Sequence, residues 1–262
     1  EPVKRTVKLP ATTAEYHPAT HGGWAGCNIY WDGSKLTFDD VGETAHQYYQ
    51  GVFFKWGSLW GLDPSYSNWS TTKKIYVPAP ASATGWSSTT SCTENEWDEY
   101  IPYAEFTIIH TRTRLYEEHN PLAGKGDICR YITETNGGAL HGRKWRMPTS
   151  AELDDSDGAM TDWTITGTFS LNDYTSNNLT DGTYEINSGY MKYGNIFFPA
   201  SGIRYSNYDA YRPGSINNTE MTGNYWSSTT HAKMLFFKSD NINMNDYYHP
   251  SYACSVRCIS EQ

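Results

Sequence analysis

The chain has 262 residues, a length that suits one large domain or two small ones and that can bury a sizeable core. Its formal net charge is −9, with no basic stripe, which argues against a nucleic-acid partner, and no apolar run approaches the ~18 residues that span a membrane. Aromatic residues make up 15% and charged residues only 19%, a profile of a loop-rich β or α+β protein of the extracellular kind.

Residues 1–22 are polar and carry Pro2, Pro10 and Pro18, and they are expected to be a linker or leading segment. The opening EPVKRTVKLP holds no apolar stretch of a secretory signal, so composition favours mature or trimmed residues of an exported chain. A single domain is expected over 23–262. In it, WDGSKL (31–36) has the Asp-Gly signal of a hairpin turn between apolar runs. GVFFKWGSLWGL (51–62) is apolar and aromatic and belongs in the core. Residues 63–100 are rich in Ser, Thr, Pro and Asn and read as a long loop region, and AEFTIIHTRTRLY (104–116) reads as a strand.

GDICRYITETNGG (126–138) predicts a helix with Asp127 as N-cap, Ile128, Tyr131 and Ile132 at helical spacing, and Gly137-Gly138 as its stop. In RMPTSAEL (146–153), Thr149 and Glu152 form a capping box, each side chain satisfying a free N–H at the helix start. DWTITGTFSL (162–171) is strand-like. YGNIFFPASGIRY (193–205) predicts a buried strand, a turn and a short strand, and YACSVRCIS (252–260) an alternating closing strand. Trp-Ser-Ser-Thr-Thr occurs twice, in GWSSTTSC (85–92) and in GNYWSSTTHAKMLFF (223–237). Both copies read as strand ends, and since their surroundings do not align, a true internal repeat is rejected.

The order of WAGCNIYWDG, FFKWGS, WRMPTSAEL, IFFPASGIRY, NYWSSTT…LFF and YACSVRCIS resembles the Fibrobacter succinogenes major paralogous domain, over roughly residues 23–260. The resemblance implies an α+β, C-type-lectin-like fold related to the formylglycine-generating enzyme. It has twisted antiparallel or mixed sheets, few short helices and long loops. It also implies a setting on the surface of gut Bacteroidetes, beside fimbrillin-like domains in pilus subunits. Among five cysteines, it implies a disulfide between Cys129, on the predicted helix, and Cys258, in the last strand. Cys27 with Cys92 is the secondary pairing, which leaves Cys254 over.

The formylglycine-generating enzyme places a copper-binding cysteine pair near its C-terminus. Cys254 and Cys258 resemble that pair with one residue fewer between them, and on a strand they would stand roughly 13 Å apart. The structural reading is preferred, and no catalytic residue or cofactor is assigned. ELDDSDG (152–158) offers Asp155 and Asp157 but puts Leu153 where a calcium loop needs its first ligand, so it reads as a solvated acidic loop. The histidines are dispersed without zinc spacing, and no metal is assigned.

The loop RYSNYDAYRPGSINN (204–218) is the surface candidate for ligand binding, with Arg204, Tyr205, Tyr208, Asp209, Tyr211 and Arg212. Aromatic rings stack on sugar faces, and aromatic residues with Arg are what protein interfaces favour. The expectation is a non-catalytic adhesion module at the cell surface, placed at a pilus tip, with a glycan or host surface protein as partner. The alternatives are a structural pilus subunit without a small ligand and an oxidase of the formylglycine-generating type.

Overall fold

The computed structural model describes residues 5–10, 23–40, 46–47, 49–63, 73–79, 85–92, 101–103, 119–153, 160–167, 189–193, 196–205, 216–217 and 222–261. From the N-terminus the strands are Arg5–Pro10 (β1), Tyr30–Trp31 (β2), Leu36–Thr37 (β3), Phe53–Lys55 (β4), Gly61–Leu62 (β5), Lys73–Ala79 (β6) and Gly85–Cys92 (β7). Helix Ile128–Thr135 (α1) comes next, then Trp145–Arg146 (β8) and the short helix Ser150–Leu153 (α2). The chain continues with Met160–Gly167 (β9), Gly189–Tyr193 (β10), Ile196–Pro199 (β11), Ile203–Arg204 (β12) and Ile216–Asn217 (β13). It closes with Thr222–Trp226 (β14), Lys233–Lys238 (β15), Asn241–Tyr247 (β16), Ala253–Cys254 (β17) and Ile259–Ser260 (β18). The architecture is mostly β-sheet with few helices.

Among the described residues, the largest sheet runs β13-β12-β17-β4-β5-β6-β7. A second runs β1-β9-β10-β11 and a third β14-β15-β16, while β18 pairs with β8 and β2 with β3. All of these strand pairs are antiparallel. The central sheet is built from strands far apart in sequence, since β17 pairs with both β4 and β12.

Local chemistry explains several elements. Asp32 Oδ1 accepts from the Ser34 N–H (2.8 Å), the Ser34 hydroxyl (2.9 Å) and the Lys35 N–H (2.9 Å), and Gly33 takes a φ of +102°, which closes the β2–β3 hairpin. Asp127 caps α1 by accepting from the Cys129 N–H at 2.9 Å and the Arg130 N–H at 3.2 Å. Its carboxylate also takes the Met147 N–H at 3.0 and 3.1 Å, which ties the helix start to the residue after β8. The capping box at α2 forms as expected: the Thr149 N–H donates to Glu152 Oε2 (2.7 Å), and the Glu152 N–H donates to Thr149 Oγ1 (3.3 Å). Arg146 adds bonds of 2.7 and 2.5 Å to the same carboxylate.

Among the described residues the core has one large cluster and two satellites. The large one gathers Trp56, Trp145, Trp226, Tyr131, Ile132 and Phe54 with the apolar face of α1. Trp24, Phe198, Tyr225, Leu235 and Phe237 fill a second, and Phe53, Leu62 and Ile75 a third. Two buried tryptophans fasten the sheets to each other. Trp226 Nε1 donates to the Phe54 carbonyl at 2.8 Å, and Trp56 Nε1 donates to the Ser227 carbonyl at 2.8 Å. Each indole finds the polar partner that its burial requires.

Three expectations change. Residues 5–10 of the leading segment form β1, antiparallel to β9 with Arg5 opposite Ile165 and Pro10 opposite Met160. Residues 73–79 and 85–92, read as loop, form the β6–β7 hairpin, so the first Trp-Ser-Ser-Thr-Thr copy is a strand along its length. The closing segment is not one strand. It breaks into β17 and β18, because Ala253 to Ser260 are all buried and the polar residues among them turn to internal partners instead of solvent. The strand expected over 104–116 and the acidic loop at Asp155 and Asp157 lie outside the described residues.

Candidate functional site

The aromatic loop divides on folding. Tyr205 is half-buried, and its ring meets Tyr252 edge-to-face at 5.7 Å; Tyr252 in turn meets Tyr248 at 5.4 Å. Tyr247, next to this trio in sequence, is 72% exposed. The three rings rest on the large core cluster from outside, so they are held in place while keeping surface for a ligand. Tyr208, Asp209, Tyr211 and Arg212 lie outside the described residues.

Arg204 is a correction to the expected surface site. It is 1% exposed, its guanidinium stands over the Phe53 ring at 5.6 Å, and its Nη2 donates to the Asp63 carbonyl. The cation is spent inside the fold, because its position on β12 points it into the sheet next to β17. Tyr248 and Tyr252 were missed in the sequence. The signal was the aromatic run YYHPSY over 247–252, which comes into contact with Tyr205 only through the β12–β17 pairing.

The cysteine geometry bears on the expected pairings. Cys129 and Cys258 are bonded, with Cα atoms 5.7 Å apart and a sequence separation of 129. Cys27 and Cys254 are free and buried, so the secondary pairing of Cys27 with Cys92 is not formed. Burial pushes the Cys27 thiol up to about 12, with the Asp39 charge adding to it, and burial raises Cys254 well above its ordinary value. Both are therefore protonated, poor nucleophiles and poor metal ligands. With Cys258 in the disulfide, the Cys254/Cys258 pair has no two thiols to offer copper.

Most of the motif residues meet at a buried polar centre. Arg257, 1% exposed, donates from Nε to Asn28 Oδ1 (3.0 Å), from Nη1 to the Ala25 carbonyl (2.9 Å) and from Nη2 to the Phe197 carbonyl (2.5 Å). Its guanidinium also lies 4.8 Å from the Phe198 ring centre. Asn28 Nδ2 donates to the Gln50 carbonyl (3.0 Å) and to the Tyr225 hydroxyl (3.1 Å), which donates to the Pro199 carbonyl (2.7 Å). The Ser255 hydroxyl donates to Ser201 Oγ at 2.8 Å. Further along, the Ser228 N–H donates to the Pro148 carbonyl (2.7 Å), and Thr229 Oγ1 accepts the Ser150 N–H (2.8 Å). The segments around WAGCN, PASG, YWSSTT, MPTS and SVRC are thus one interlocked hydrogen-bond system, which gives those residue types a structural purpose.

A second polar cluster lies nearer the surface. Asp39 accepts from the Tyr30 hydroxyl at 2.9 Å and contacts His46 Nδ1 at 2.7 Å, and the Tyr30, His46 and Tyr49 rings pack on each other at 4.5–5.8 Å. The packed rings leave no room between them for a ligand. No group of three or more His, Cys, Asp or Glu suited to a metal occurs among the described residues.

Compared with known proteins, the chain matches no family model, no curated protein and no solved structure.

Proposed function

We propose that the chain is an exported, non-catalytic binding module of the bacterial cell surface, of C-type-lectin-like type and of the major paralogous domain family. It presents an aromatic face to a glycan or a host surface protein. The observation that carries this reading is the Tyr205–Tyr252–Tyr248 trio with the exposed Tyr247 beside it. Preset tyrosine rings contribute contact area at low entropic cost. The family reading is supported by the convergence of Asn28, Ser201, Tyr225 and Arg257, each from a different motif, on the buried polar system. An extracellular place is supported by the Cys129–Cys258 bond, since disulfides persist in oxidising compartments. No helix among the described residues is long and apolar enough to cross a membrane.

The test is a glycan and mucin array probed with the purified chain, with calcium and with chelator. A specific hit that Tyr248→Ala with Tyr252→Ala weakens by roughly tenfold or more supports the reading, as expected for aromatic anchors of an interface. A hit that ignores both substitutions removes the aromatic face from it.

A second reading, a structural subunit of a surface assembly, is favoured by β1. A leading segment that adds a strand to the β9 edge is the kind of element through which subunits join by strand addition. A blank array together with defined higher oligomers would favour this reading over the first.

A further inference from the structure

Helix α1 and the β8–β18 pair border a half-open pocket of about 230 Å³. Arg130, Thr133 and Glu134 line it from one face of the helix, as their spacing of three and four residues requires. Lys144, Trp145 and Glu261 line it from the sheet side, where the Glu261 N–H donates to the Lys144 carbonyl at 2.7 Å.

The lining holds two cations and two carboxylates, but they are not equally engaged. Arg130 closes on Glu261 in a tight ion pair that joins the two walls, and its Nε lies 3.8 Å from Asp127. The Thr133 hydroxyl is occupied as well, donating to the Cys129 carbonyl at 3.0 Å and accepting the Trp145 N–H at 3.0 Å. Lys144 and Glu134 remain. Glu134 has one oxygen 3.0 Å from His119 Nε2 while its side chain is 52% exposed. Lys144 is exposed and forms no ion pair among the described residues. Opposite charges therefore stand on opposite walls without being joined to each other. The C-terminal carbonyls of α1 add partial negative charge on the Glu134 side.

The complement of such a cavity is a molecule with one charge of each sign. We propose that it binds a compact zwitterion of amino-acid size, whose carboxylate meets the Lys144 ammonium and whose ammonium meets the Glu134 carboxylate. The volume lies below the ~300–1,000 Å³ of pockets for drug-sized ligands, which restricts the occupant to a small molecule. A simple anion fits less well, because Glu261 already neutralises the Arg130 cation. This site is separate from the tyrosine face, and its test does not depend on that reading.

The experiment is a titration of the full chain, followed by the Trp145 indole N–H resonance and by calorimetry. The probes are L-leucine, L-leucine methyl ester, which lacks the carboxylate, and N-acetyl-L-leucine, which lacks the ammonium. The expected result is saturable binding of leucine, with each derivative weaker by roughly tenfold or more, the usual effect of losing a charge-assisted contact. Lys144→Gln and Glu134→Gln should each weaken leucine by a similar factor with unchanged thermal unfolding, since both side chains are at the surface. Three outcomes overturn the proposal. L-leucine could fail to saturate at about 10 mM, above the range of a micromolar-to-millimolar site. The ester or the acetylated probe could bind as well as leucine. Both Gln variants could leave binding unchanged.

Discussion

Arg257 shows how a single buried cation organises a region. Its three donors satisfy one side chain and two carbonyls that come from the segments around Ala25, Asn28 and Phe197. Burial lowers its proton affinity, but the neighbouring Tyr225, Cys27 and Asp39 act the other way. Arg257→Ala should cost about 3–5 kcal/mol, because it leaves several buried acceptors unpaired and opens a cavity under Phe198. Urea unfolding of this variant beside Arg257→Lys measures it. A loss below about 1 kcal/mol would mean that the acceptors find water. Glu152 gives a pH-dependent prediction. Burial alone would raise its carboxyl, but the Arg146 guanidinium and the Thr149 bonds outweigh burial and hold it below the ordinary 4.5. The folded value lies below the unfolded one, so its stabilisation is complete above about pH 4.5 and fades as pH falls through the folded value. The stability gap between the native chain and Glu152→Gln should therefore narrow as pH falls below about 4.5. A gap of constant size across that range would refute the assignment.

At the scale of elements, the sheet and helix units that formed as expected are those with their signal within a few residues. Asp127, the Gly137-Gly138 stop and the Thr149–Glu152 box act over one helical turn, so their chemistry is legible in sequence. The β6–β7 hairpin was not legible, since its Ser/Thr-rich composition reads as loop. Its pairing with β5 is what makes it sheet. The same holds for β17 and β18. Alternation argued for one strand, but the Arg257 and Ser255 bonds draw the intervening residues away from regular pairing. The disulfide ties α1 to that closing segment and closes a loop of 129 residues in sequence separation. By the chain-entropy estimate it contributes at most about 5 kcal/mol. The double variant Cys129→Ala, Cys258→Ala should lose several kcal/mol in urea unfolding, on the order of that bound. An unchanged midpoint would mean that the core alone holds α1 to the closing segment.

For the molecule as a whole, β1 is the element whose removal should be most telling. It covers one edge of the β1-β9-β10-β11 sheet from a segment that precedes the rest of the fold. Deleting residues 1–10 exposes the β9 edge, and open edges template pairing with other chains. The truncated chain should self-associate at concentrations where the full chain does not, as measured by light scattering after size exclusion. Equal masses for both would show that the β9 edge is protected in some other way. Composition, turn chemistry and caps determined by themselves an aromatic, loop-rich, sheet-dominated protein with one well-capped helix, because those signals act locally or are carried by residue type; the tie of that helix to the C-terminal segment was only what the resemblance implied. Which polar residues face solvent was decided only by tertiary structure. Arg204 looks like a surface cation in sequence, yet it and Arg257 each find carbonyl partners across the fold. The tyrosine trio is likewise a product of the β12–β17 pairing. Contacts between residues far apart in sequence follow from how the sheets close on one another, and no local pattern encodes that closure.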